Sequence, residues 1–89
     1  MSINYEFYVY ANGKNKGSFF SLNSAMELFN KTRGKYVTLG VSESLRACDL
    51  IIKENNNIKL SQDINSSSFK HEKIITLNAV SILKKQFNL

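Results

Sequence analysis

The sequence predicts an α+β fold, a mainly antiparallel sheet with two helices packed on it. Three observations carry this reading. Residues 1–11 alternate apolar and polar, as a strand does. The stretch from Phe19 to Val41 reads as the end of a strand, a capped helix, a basic turn and a second strand. The last residues carry a broad apolar stripe at helical spacing. With two short strands in between, the order is ββαβββα in a single domain of 89 residues, 1–89.

The first strand places Ile3, Tyr5, Phe7, Val9 and Ala11 on one face, and Asn4, Glu6, Tyr8 and Tyr10 on the other. Asn12-Gly13 and the later Gly17 mark a hairpin connection that holds Lys14 and Lys16, with Ser18 to Phe20 as a short return strand. A helix follows. Ser21 and Ser24 are both acceptable caps, and Ser24 with Glu27 fits a capping box. Leu22, Ala25, Met26 and Phe29 form its apolar stripe, and Gly34 is expected to end it in a left-handed conformation. From Tyr36 to Val41 the alternation is that of a strand. These elements are expected to form a split unit with the first strand between the second and third, which then run parallel.

Ser42-Glu43-Ser44 reads as a loop. Ala47 to Lys53 is a short apolar run and reads as a strand buried on both faces. The run Glu54 to Asn57 is a turn, since asparagine tolerates left-handed backbone. Ile58 to Leu60 returns as a short strand, and residues 62–68 read as a mobile loop. The closing helix starts at Ser68, Thr76 or Asn78, with His71 to Thr76 alternatively a strand feeding a shorter helix. Leu22, Phe29, Val37, Leu39, Leu50, Ile52, Val80 and Leu83 are the expected core.

Composition narrows the function classes. With 43% hydrophobic and 11% aromatic residues the chain is globular. No apolar run is long enough to span a membrane, and the opening MSINYEF predicts no signal peptide, so a cytoplasmic location is expected. A single cysteine, Cys48, excludes an internal disulfide framework and suits a reducing compartment. The net charge of +5 favours anionic partners and argues against a nucleic-acid mimic.

Catalytic groups are scarce. Cys48, Asp49 and His71 are the only conceivable nucleophile, orienter and base, and Cys48 sits in an apolar run like a small buried hydrophobe. No metal-ligand spacing and no phosphate-binding glycine motif is present, so neither metal nor cofactor is expected. The glycines read as turns, helix stops or close strand packing. The expectation is a binding protein, not an enzyme.

The candidate binding residues are basic and aromatic. If each element reverses direction, the hairpin turn, the end of the first helix and the asparagine turn meet at one end of the sheet. That gathers Lys14, Lys16, Lys31, Arg33 and Lys35 with Lys53 and Lys59, and the final helix adds Lys84 and Lys85. Glu54 is the one acid expected nearby. Tyr8 and Tyr10 are a second candidate, suited to base stacking, to a protein contact, or to packing under a covering helix.

From Tyr5 to about Leu50 the chain carries a helix of the type Ser21 to Asn30, a strand ending Leu39-Gly40-Val41, and a segment closing on Asp49-Leu50-Ile51. In these it resembles the small domains associated with large polyvalent proteins of phages and conjugative elements. The resemblance implies a mobile-element product, and the absence of proline with abundant asparagine, lysine and isoleucine matches an AT-rich genome. A free-standing version looks similar to the small inhibitors that phages deploy against bacterial defences, of the anti-CRISPR or anti-restriction type. The expected partner is then a host defence protein or ribonucleoprotein complex. The alternative is a small basic nucleic-acid-binding accessory or regulatory protein.

Overall fold

The computed structural model describes residues 5–43, 46–62 and 73–89. Among them, strands β1 (Tyr5–Ala11), β2 (Lys14–Phe19), β3 (Tyr36–Glu43), β4 (Arg46–Glu54) and β5 (Asn57–Leu60) form one antiparallel sheet. Their order across it is β2-β1-β3-β4-β5. Helix α1 (Leu22–Lys31) joins β2 to β3, and helix α2 (Lys73–Phe87) follows β5. β1 lies between β2 and β3 and is antiparallel to both, so these two run parallel, as the split-unit reading expected.

Two of the hairpins turn on two residues whose φ angles are positive, the combination that matches the right-handed twist of paired strands. Asn12 and Gly13 (φ 51° and 84°) make the first, and Asn55 and Asn56 (φ 51° and 71°) the second. Because Asn12-Gly13 completes the first turn alone, pairing resumes at once with Ala11 opposite Lys14. Lys14, Lys16 and Gly17 therefore belong to β2 and not to a loop. Ser42 and Glu43 likewise extend β3, paired with Ala47 and Arg46.

The core fills the space between the helices and one face of the sheet. Phe7, Val9 and Ala11 of β1 meet Val37, Leu39 and Val41 of β3, with Ala25, Met26 and Phe29 of α1 and Ala79, Val80 and Leu83 of α2. Phe29 and Phe87 join the helices edge to face at 5.9 Å. Leu22 is only half-buried, at the margin of this cluster. Residues 1–4, 44–45 and 63–72 and the side chains of residues 43, 46 and 73–77 lie outside the described set, and with them the Ser68 cap and most of the 62–68 loop reading. α2 is helical from Lys73, so residues 73–76 are not the alternative strand, and Thr76 and Asn78 lie inside the helix and do not start it.

β4 departs from the expected pattern. Leu39 pairs with Ile51 but the adjacent Gly40 pairs with Asp49, which leaves Leu50 as an extra residue in a bulge. Leu50 and Ile51 both become fully buried on the helix side. The run was expected to be buried on both faces, and the bulge explains the difference: two consecutive apolar residues serve one face. Ile52, expected in the core, is thereby moved to the opposite face, where it is half-buried and Ala47 is exposed.

α1 ends differently from expectation as well. Gly34 is not left-handed, and the cap is Thr32 in extended backbone. The Thr32 hydroxyl donates to the Leu28 carbonyl at 2.6 Å. The Lys53 ammonium reaches over from β4 and donates to the carbonyls of Phe29 (2.9 Å) and Thr32 (2.7 Å). These last-turn carbonyls have no helical partner of their own, so the cation satisfies them and meets the negative end of the helix dipole. At its other end α1 begins at Ser21 without a side-chain cap, and Ser24 lies inside the helix, so no capping box forms.

On the far face of the sheet, Tyr8, Gly40 and Asp49 stand in one row across β1, β3 and β4. The Tyr8 ring crosses above Gly40, and its hydroxyl donates to Asp49 Oδ1 at 2.7 Å. A Cβ on residue 40 would strike the Tyr8 ring and would lie 2.6 Å from the Cys48 carbonyl oxygen. Gly40→Ala should therefore destabilise the fold by about 1–3 kcal/mol, the range for overfilling a packed site. Urea denaturation measures it, and an unchanged midpoint would show that the ring does not lie across Gly40.

Candidate functional site

The expected binding residues fall on two different surfaces. The first is the end of the sheet where the turns at Asn12-Gly13 and Asn55-Asn56 and the start of β3 meet. The Asn12 amide donates to the Tyr36 carbonyl at 2.9 Å, and the Asn55 amide to the Lys35 carbonyl at 3.0 Å. The Asn12 side chain in turn accepts from the Tyr36 amide at 3.3 Å. These bonds pin the segment 32–36 between the two turns. Lys14 follows the first turn directly, and Lys16 stands in a β2 bulge where Val9 pairs with Gly17 and Tyr10 with Asn15. Lys31 closes α1. Lys14, Lys16, Lys31, Arg33 and Lys35 are all exposed.

Lys53 connects this group to the body of the fold. Besides capping α1 it lies 4.9 Å from the centre of the Phe29 ring. Burial, and after it the positive charge of Arg33, hold its ammonium below the usual lysine value of 10.5. A lowered value in the folded chain means that protonation of Lys53 subtracts stability. That subtraction fades as pH rises through the interval just below 10.5. Glu54, the expected neighbouring acid, pairs with Lys59 at 3.1 Å. Lys84 and Lys85 are exposed in the last turn of α2, one turn before Phe87, whose ring meets Phe29 near the end of α1. The Leu89 amide donates back to the Lys84 carbonyl at 2.9 Å, and Asn88 is left-handed (φ 57°), a common way to close a helix.

The second surface is the helix-free face of the sheet, where no described element lies over β1, β3 and β4. Tyr8 and Tyr10 lie here, in a groove that reaches the first turn at Asn12 and Gly13. Their rings meet edge to face at 5.4 Å. Tyr8 is buried although no described helix covers it, while Tyr10 is exposed. They line an open groove of about 510 Å³ together with Glu6, Tyr36, Thr38 and Asp49. No lysine or arginine lines this groove. A second hollow of about 350 Å³ shares Tyr36 and Asp49 and continues toward Ile52, Glu54 and Lys59.

Sequence reasoning placed Tyr8, Tyr10 and Glu6 on one face but missed Tyr36, Thr38 and Asp49 as their companions. Tyr36 and Thr38 were readable from the alternation of β3, once β3 was paired with β1. Asp49 was hidden inside an apolar run whose facing depends on the bulge.

The catalytic combination of Cys48 and Asp49 is not assembled. Cys48 is buried on the helix side, whereas Asp49 faces the groove and accepts the Tyr8 hydroxyl. His71 lies outside the described residues. Among the described residues no group of three or more histidine, cysteine, aspartate or glutamate side chains is arranged to hold a metal ion, and no helix is long and apolar enough to cross a membrane. No protein-family model, curated protein or solved structure matches the chain.

Arg33→Gln should raise the Lys53 titration without returning it to the usual lysine value, because burial is the larger cause of its depression. Nitrogen-detected NMR of the Lys53 ammonium reads this directly. An unchanged titration would remove Arg33 from the neighbourhood of Lys53 and from the basic end.

Proposed function

We propose that the chain acts by binding, docking its basic end on an anionic macromolecular surface. The role we assign to it is that of a phage- or mobile-element-borne inhibitor of a bacterial defence complex, of the anti-CRISPR or anti-restriction type. The observation that carries the binding reading is the presence of exposed Lys14, Arg33 and Lys35 on two segments joined by backbone bonds between turns, beside Lys53, whose ammonium is engaged by the end of α1. Glu54, the acid beside them, is already engaged by Lys59. An array of exposed cations on a fixed frame attracts a nucleic-acid-bearing complex at long range and sets its orientation. The assignment to anti-defence rests on the resemblance of residues 5–50 to mobile-element domains.

Direct binding of nucleic acid uses the same cations and is the competing reading. The tyrosines do not favour it, because the groove that holds them carries Glu6 and Asp49 and would repel a phosphate backbone.

A panel of guide-loaded CRISPR nucleases and restriction complexes, each assayed for DNA cleavage with the purified chain, tests the proposal. Inhibition of one member is expected. Lys14→Glu with Arg33→Glu should weaken that inhibition by about tenfold or more while leaving the domain folded. Binding should also fall as salt rises, because exposed charges are screened over about 10 Å at 0.1 M. Inhibition unaffected by the double variant would overturn the role of the basic end. Binding to free RNA or DNA without inhibition of any complex would replace the proposal with the nucleic-acid reading.

A further inference from the structure

We infer that the helix-free face is a second docking surface, built for a protein segment that presents an arginine side chain. The inference does not depend on the basic end and concerns a surface of opposite sign. The chain has 12 lysine and arginine residues against 7 acids. The groove on the helix-free face nevertheless has Glu6 and Asp49 in its lining and no lysine or arginine. The neighbouring hollow is lined by Glu54 and Lys59, which pair with each other, so among the described residues here the unpaired carboxylates are those of the groove itself. This concentration of carboxylates runs against the composition of the whole chain and defines the charge of what fits there.

The side chains around the carboxylates favour a guanidinium in particular. Tyr10 and Tyr36 are 38% and 43% exposed, so their rings are available to a partner. A planar, weakly hydrated cation stacks on such rings and pairs with a carboxylate through two parallel donors, which an ammonium does not do. Asp49 is held for this. The Tyr8 hydroxyl bonds its Oδ1 and fixes its orientation. A carboxylate has acceptor capacity for several donors, so this bond leaves room for an incoming guanidinium.

Thr38 supplies an independent indication. It lines the groove between Tyr10 and Ile52 in the register and is only 5% exposed. Its hydroxyl makes no hydrogen bond to another described residue. A buried hydroxyl that no described residue pairs is costly to keep, and a ligand lying in the groove would satisfy it. The groove is open along its length and continuous with the second hollow through Tyr36 and Asp49. That form suits an extended chain segment more than an enclosed small molecule.

The test uses the full chain, labelled for amide NMR, with the capped peptide Gly-Gly-Arg-Gly-Gly as probe. The matching lysine and glutamate peptides are the comparators. The arginine peptide should shift the amides of Tyr8, Thr38, Gly40 and Asp49, the lysine peptide less, and the glutamate peptide not at all. Glu6→Gln with Asp49→Asn should weaken the arginine peptide by about tenfold or more. Tyr36→Ala, which leaves the Tyr8–Asp49 bond intact, should weaken it too, so the outcome does not rest on one variant's folding. Absence of groove shifts, equal shifts from the glutamate peptide, or occupation of the groove by an oligothymidylate would each overturn the inference.

Discussion

The absence of a side chain at Gly40 governs how three strands of this sheet fit together. Tyr8 pairs with Gly40 and Gly40 with Asp49, so the three residues form a single row across the sheet. With hydrogen in place of a methyl group, the Tyr8 ring lies down over β3 and its hydroxyl reaches β4. The bulge in β4 sits at the same level, between the pairs that Leu39 and Gly40 make. It sends Leu50 and Ile51 together into the core and leaves Asp49 facing Tyr8. A buried hydroxyl that found no acceptor would be costly, so this bond also fixes which face of the strand carries the acid. One glycine thus couples the packing of the apolar face to the polar arrangement of the opposite one.

That coupling divides the molecule by charge. The apolar face holds both helices, and the lysine that caps α1 ties the basic end to the core through Phe29. The opposite face holds tyrosines, a buried threonine and carboxylates. A net charge of +5 describes neither surface, because it averages a cationic end and an acid-lined groove. Long-range attraction to an anionic complex and short-range recognition of a cationic side chain are then separable tasks on one small frame.

Much of the fold was legible because local signals agreed with each other. The alternation in β1 and β3, the spacing of Ala25, Met26 and Phe29, and the paired turn residues at 12–13 and 55–56 each pointed to the element found. The placement of β1 between its neighbours followed from connection rules. What could not be read was the facing of β4. A bulge inserts one residue without any sequence mark, so Ile52 was expected where Ile51 lies, and Asp49 was taken as part of a strand buried on both faces. The end of α1 was misread for a similar reason. Gly34 looked like a helix stop, while the helix ends at Thr32 and its last carbonyls are met by Lys53, twenty-one residues further on. For the candidate site, the basic residues were visible as charges, but their separation from Tyr8 and Tyr10 depended on which face each strand position takes.

The central claim is that the cationic end and the tyrosine groove are separate surfaces with opposite preferences. Amide NMR of the chain titrated with a short oligothymidylate tests it most directly. Shifts are expected at residues 12–16, 31–36 and 53–56, fading as salt rises from about 0.05 to about 0.2 M. The amides of Tyr8, Gly40 and Asp49 should stay in place. Shifts centred on Tyr8, Gly40 and Asp49, with the basic end unmoved, would contradict it.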